Sequence, residues 1–174
     1  MDKKKFTYKI LNYSFVFLLL ISTSCKPHLS LSGATIPIEA KTISVGFFVN
    51  NTSLGAPSLS QRFSEKLRDV VSQQTNLALL KQNGDLQFEG YISDYNVMPI
   101  AILSTDVAGQ NRMTISVNVK YSNKFDQTKN FEQAFTRFAD FKSSENVSIK
   151  EPELVTEIYR QLTEDIFNRA FNNW

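Results

Sequence analysis

The sequence predicts an α+β fold, a mostly antiparallel four-stranded sheet with two helices packed on one face. Three observations carry that expectation. Residues 58–76 and 153–171 repeat apolar side chains at intervals of three and four, the stretches between them alternate apolar and polar residues, and the order runs strand, helix, strands, helix.

The first strand candidate is Lys41–Asn50, KTISVGFFVN. Ile43, Val45, Phe47 and Val49 share one face of an extended chain and Ser44, Gly46 and Asn50 the other, with Phe48 out of pattern. Turn residues follow through Pro57. From Ser58, Leu59, Phe63, Leu67, Val70 and Val71 mark the buried side of a helix and Arg62, Glu65, Lys66, Arg68 and Asp69 its solvated side. Ser58 and Gln61 have capping-box spacing. Leu77–Leu80 and Leu86–Ile92 read as two strands closed by Asn83-Gly84, a two-residue hairpin signal.

Met113, Ile115, Val117, Val119 and Tyr121 alternate with Thr114, Ser116, Asn118 and Lys120, the clearest strand of the chain, and Phe131–Phe141 reads as the last one. Leu154, Ile158, Leu162, Ile166 and Ala170 then lie four apart, widened by Val155, Tyr159, Phe167 and Phe171. Pro152 suits the first turn of that second helix, where no N–H is needed.

The N-terminal residues read as an export signal. Lys3, Lys4, Lys5 and Lys9 precede an apolar run to Ile21 that is too short to span a bilayer and ends in Ser22-Thr23-Ser24 before Cys25. Cys25 is the only cysteine and so has no intramolecular disulfide partner. The site resembles the processing site of bacterial lipoproteins, with Ser22 where Leu is usual, which implies that Cys25 is an acylated anchor; the alternatives are a buried, inert thiol or an ordinary secreted protein cleaved nearby. The expected organisation is a signal peptide over 1–24, an acylated tether over 25–40 and the α+β domain over 41–174. Removing residues 1–24 takes away four lysines and one aspartate, turning the formal net charge from +2 to −1. That balance lacks the basic footprint of a nucleic-acid binder.

Catalytic signals are sparse. His28, the single histidine, lies in the tether, and the six glycines form no phosphate-binding pattern. Asp85 and Glu89 are a conceivable acid–base pair but read more simply as a turn acid and an exposed strand acid. No enzyme activity, metal site or cofactor is expected beyond the covalent lipid on Cys25. Two stretches can carry binding. Asn96–Arg112 holds Met98, Ile100, Ile102 and Leu103, either as extended strands packed on a helix or as a partner-contact loop. Lys120–Lys129, KYSNKFDQTK, is either a solvated turn or a contact for anionic lipid phosphates.

The ordered series LSLSGATIP, AKTISVGFFVNN, SLSQRFSEKLRD, NGDLQFEGYI, NRMTISVNVKYSNKFD and FTRFADF resembles the LptE family of lipopolysaccharide-assembly lipoproteins, from about Leu29 to Trp174. The resemblance implies a lipid-anchored outer-membrane protein, its domain in the periplasm or inside the lumen of an LptD-type β-barrel, helping lipopolysaccharide reach the outer leaflet without bond-making chemistry. Family members are thought to touch the glycolipid through basic residues near strand ends. By local charge the candidates here are Lys120, Lys124 and Lys129, with Arg112 and Arg137 behind them. A periplasmic adaptor lipoprotein regulating another envelope complex, and a lipid-binding carrier with a closed apolar pocket, are the competing expectations.

Overall fold

The computed structural model describes residues 36–100 and 109–172. Cys25, the export signal, His28, Ile102 and Leu103 lie outside the described residues. The elements are β1 (Thr42–Val45), β2 (Val49–Asn50), α1 (Leu59–Gln74), β3 (Ala78–Leu80), β4 (Leu86–Ile100), β5 (Gln110–Asn123), a 3-10 turn (Gln127–Lys129), β6 (Phe131–Lys142) and α2 (Val147–Phe171). The strands form one six-stranded sheet in the order β3-β1-β4-β5-β6, with β2 beside β4 further along.

The α+β class holds, but the sheet is mixed and has six strands instead of four antiparallel ones. β1 runs parallel to both β3 and β4, and β2 runs parallel to β4; only β4, β5 and β6 form an antiparallel meander. Asn83-Gly84 therefore closes no hairpin. β1 lies between β3 and β4, so residues 81–85 step across it. Asn83 takes the left-handed conformation at φ 55°, and Gly84 passes so close to β1 that a Cβ there would sit 2.5 Å from the Ser44 nitrogen. The Gly84 N–H donates to Ser44 Oγ at 3.1 Å.

The alternation in the first strand also breaks. Ile43 and Val45 face the core, but after Gly46 the phase slips by one residue, so Phe48 is fully buried while Phe47 is 57% and Val49 51% exposed. A one-residue slip exchanges the faces of a strand. Helix α1 holds the interruption with polar side chains four residues apart. Ser60 Oγ accepts from the Asn50 N–H (2.8 Å), Ser64 Oγ from the Phe48 N–H (2.9 Å), and Arg68 donates to the Val45 carbonyl (3.1 Å). A second slip at Ser93 in β4 turns Tyr95 inward where Asp94 would otherwise point.

Helix starts differ from the sequence expectation as well. Ser58 makes no side-chain cap, and the Leu59 N–H is taken by the Ala56 carbonyl instead (3.0 Å). α2 begins at Val147, capped by Asn146 Oδ1 accepting from the Ser148 N–H (2.9 Å), so Pro152 lies inside it. The Pro152 carbonyl accepts from Arg62 Nη2 (3.0 Å), which ties the two helices together at their solvated rim.

Both helices cover the same face of the sheet. Leu59, Phe63, Leu67 and Val71 of α1 and Val155, Ile158, Leu162, Ile166 and Phe171 of α2 are buried in one cluster with Ile43, Phe88, Ile92, Ile115, Val117 and Val119. Edge-to-face rings run through it, Phe48 on Phe63 at 5.0 Å and Phe63 on Tyr159 at 5.1 Å, and the Tyr159 hydroxyl donates to the Leu59 carbonyl (3.1 Å).

Candidate partner and lipid surfaces

Because both helices take one face, no described residue covers the other face of the long strands. Pairing register sets it out in rows from β4 through β5 to β6: Glu89–Lys120–Glu132, Tyr91–Asn118–Ala134, Asp94–Ser116–Thr136, Asn96–Thr114–Phe138 and Met98–Arg112–Asp140. Most of these side chains are charged or are small hydroxyls and amides, with Tyr91, Ala134, Phe138 and Met98 between them. On β5 they are the polar half of the alternation read from the sequence, and they point where that alternation places them.

The three candidate lysines are not equivalent. Lys120 stands on the uncovered face with Glu89 and Glu132 as its cross-strand neighbours, so its local field is partly negative. Lys124 and Lys129 lie in the β5–β6 connection at the end of the sheet where the tether enters. Lys124 Nζ is 3.7 Å from Asp85 Oδ1 and its side chain is 71% exposed. Lys129 shares a cleft of about 430 Å³ with Ile36, Glu39, Asp126 and Arg169. The two weaker candidates are committed to ion pairs. Arg112 holds Asp140 through two hydrogen bonds of 2.7 and 2.8 Å while lying 3.6 Å over the Phe138 ring, and Arg137 holds Asp165 through two of 2.5 and 2.8 Å.

Asp85 is a structural clasp rather than half of an acid–base pair. Its Oδ2 accepts from the Lys41 N–H (3.1 Å), the Thr42 N–H (3.2 Å) and Thr42 Oγ1 (2.9 Å), which joins the starts of β1 and β4. The Lys41 and Thr42 donors hold its carboxyl below the ordinary range. Glu89 is exposed on the uncovered face. Tyr95, half-way along the hairpin, donates to Glu151 (3.1 Å), and burial followed by the Glu151 charge pushes its phenol upward. Among the described residues no cluster of His, Cys, Asp or Glu is arranged to hold a metal ion.

At the far end of the sheet, apolar side chains meet water. Met98 and Ile100 belong to β4, so this part of the Asn96–Arg112 stretch is extended strand, and Met98 is 58% exposed. The same end carries the first turn of α2, since β6 stops at Lys142 and the Ser143 N–H donates to the Gly109 carbonyl (2.8 Å). There Ile149 is 77% exposed and Val147 is also open. Sequence reasoning missed Val147 and Ile149 because it started the helix at Pro152. Asn146, a good N-cap residue two positions before Ser148, was the available signal. A separate cleft of about 810 Å³ is lined by Ser44, Gly46, Phe47, Arg68, Leu79 and Glu89, among others. This mixed polar and apolar lining differs from the apolar pocket expected of a carrier.

Comparison with known proteins follows from this geometry. The family model LptE, described as lipopolysaccharide-assembly, matches residues 40–170. The chain belongs to that family. No curated protein matches the chain. Among solved structures, the hypothetical protein CT253 from Chlamydia trachomatis is similar at a TM-score of 0.55 and 11% identity, covering 77% of this chain and 100% of its own. Protein XCC0632 from Xanthomonas campestris is similar at 0.51 and 10% identity, covering 77% and 87%. These likenesses concern the fold alone. For the LptE-family chain, they show the sheet with helices on one face recurring at very low sequence identity.

Proposed function

We propose that this LptE-family protein is an outer-membrane lipoprotein, anchored through acylated Cys25 after loss of residues 1–24, that seats in an LptD-type β-barrel and assists the delivery of lipopolysaccharide. The observation that carries this reading is the uncovered sheet face, whose side chains are mostly charged or polar across three strands of 12 to 15 residues, with Tyr91, Ala134, Phe138 and Met98 among them. The lumen of a large outer-membrane barrel is polar, so a plug needs a flat, polar, rigid wall to lie against it. An uncovered apolar face would instead expose the core of the sheet to water.

On this reading residues 25–40 tether the domain, and Met98, Ile100, Ile102 and Leu103 are partner contacts. Lys124 and Lys129 meet glycolipid phosphates at the tether end. Lys120, flanked by two glutamates, contributes less than they do. The test is a photo-crosslinking residue at Ser116 on the uncovered face or at Glu164 on the exposed side of α2, followed by purification from detergent-solubilised native membranes. The reading expects Ser116 to capture a large barrel and Glu164 not to. Capture of a different envelope protein favours the adaptor reading, and equal capture from both positions removes the face-specific one.

A further inference from the structure

At the end of the sheet where the tether enters, two large apolar side chains are held out into solvent by hydrogen-bonded turns. Ile36 packs against the core and Ala40 is buried, but between them Ile38 is 86% exposed. The turn around it is closed by the Ala40 N–H on the Pro37 carbonyl (3.0 Å), and Lys41 Nζ donates to the Ile38 carbonyl (2.8 Å). Phe125 is 44% exposed in the β5–β6 connection, where Asn123 Oδ1 accepts from the Phe125 and Asp126 N–H groups (2.9 and 3.0 Å). One chain of contacts joins the two tips. The Lys41 N–H donates to Asp85, Asp85 faces Lys124 at 3.7 Å, and Lys124 Nζ lies 5.9 Å from the centre of the Phe125 ring.

We propose that Ile38 and Phe125 enter a phospholipid bilayer surface when the domain hangs from its anchor. The contact rests on the acylated Cys25 of the reading above and not on the barrel. An anchor within about 40 Å of extended chain from Ile36 keeps this end of the domain at high local concentration beside lipid, so a modest apolar contact is enough to hold it there. Because both tips already sit in fixed turns, little chain freedom is lost when they insert. The charges at this end nearly balance, Lys41, Lys124, Lys129 and Arg169 against Glu39, Asp85 and Asp126. Apolar burial therefore supplies the contact, and attraction to anionic headgroups adds little. The lysine stems can lie along the interface with their ammonium groups among the headgroups. The contact belongs to the anchored domain before a barrel takes it up, and it leaves the uncovered face and the Met98 end open for that step.

The experiment uses the full lipidated chain carrying Trp174→Phe, which removes its one native tryptophan, in vesicles of phosphatidylethanolamine and phosphatidylglycerol with brominated acyl chains. A single tryptophan then replaces Ile38, Phe125 or Ile149. Ile149 is 77% exposed and equally apolar but lies at the opposite end of the sheet. Fluorescence from Ile38→Trp and Phe125→Trp should be quenched by bromine about twofold more than from Ile149→Trp, and should stay so in about 1 M salt, where charge contacts reach only about 3 Å. Equal quenching at all three positions, no quenching at 38 or at 125, or loss of quenching in salt overturns the proposal, the last by assigning the contact to the lysines. Flotation separates two kinds of failure. A chain that does not float with the vesicles removes the anchor and the contact together, whereas a chain that floats without quenching at 38 and 125 removes the contact alone.

Discussion

Ser64→Ala tests whether α1 holds the broken first strand. Ser64 is fully buried; its hydroxyl accepts from the Phe48 N–H at 2.9 Å and donates to the Ser60 carbonyl at 2.7 Å. Alanine keeps the methylene and the helix propensity but leaves the Phe48 N–H without its acceptor, between a buried ring and a helix. An orphaned buried donor costs about 1–3 kcal/mol, and the lost bond to Ser60 adds little because that carbonyl retains its helical role. The expected destabilisation is about 2 kcal/mol, or about 5–10 °C in Tm for a domain of this size. Urea denaturation of the Cys25→Ser chain should show a lower midpoint at unchanged slope. Ser60→Ala is the internal comparison: the Asn50 N–H it bonds is only part-buried, water can replace the hydroxyl, and the cost should stay near or below about 1 kcal/mol. A Ser64→Ala chain within about 0.5 kcal/mol of wild type, or a larger cost at Ser60, would refute the reasoning.

Gly84→Ala should cost about 3 kcal/mol in thermal denaturation, because its Cβ would lie within 2.8 Å of three β1 backbone atoms that cannot yield as a side-chain tip does; a neutral substitution would mean that residues 81–85 do not cross β1. Asp85→Asn should shrink the acid sensitivity of the fold. The folded carboxyl lies below its ordinary value of 3.8, so its contribution is complete above about pH 4 and lost as pH falls through the folded value. Hence the Tm gap between wild type and Asp85→Asn should be widest near neutrality and close in acid, and a gap that widens in acid contradicts the clasp. Met98→Asp should leave Tm within about 1–2 °C, as exposed sites do, while lowering recovery of the barrel partner; unchanged recovery removes the hairpin end from the interface. Replacing Lys124 and Lys129 together with alanine should weaken lipopolysaccharide binding about tenfold in a titration at low salt, with a smaller loss from Lys120→Ala; a larger loss from Lys120→Ala would reverse the ranking.

Much of the fold was written in local periodicity. The β5 strand reads the same in sequence and structure because one side is core and the other is uncovered, so each residue declares its face. The same holds for α2 from Leu154 to Phe171. What failed was non-local. Asn83-Gly84 has the chemistry of a hairpin turn, yet left-handed Asn and close-packed Gly serve a crossover equally well, and only the placement of β1 between its neighbours distinguishes the two. The slip at Gly46 was visible as Phe48 out of pattern. Its direction depended on Ser60 and Ser64, hydroxyls 10 and 16 residues away that look like ordinary helix polar residues. Local charge also does not show that Lys120, Arg112, Arg137 and Lys124 have carboxylate neighbours from other elements, or that Lys124 and Lys129 lie in one connection at the tether end.

The proposed lipid and apolar contacts divide between the two ends of the sheet, and that division bears on how the domain would work from an anchor. Ile36, Lys41, Lys124, Lys129 and Arg169 gather where the tether enters, while Met98, Val147 and Ile149 are exposed at the other end, about 45 Å away at the rise of the 14-residue β5. An acylated Cys25 lies 11 residues before Ile36, a reach of at most about 40 Å of extended chain. If Cys25 is the proposed anchor, the tether end stays within about 40 Å of the membrane, near enough for its lysines to meet phosphates. The apolar end lies about 45 Å further along the sheet, so on the proposed reading it depends on the whole length of the tether to reach its partner. Shortening the tether should therefore impair partner engagement before it impairs lipopolysaccharide binding, and the opposite order of loss would place the lipid site at the far end.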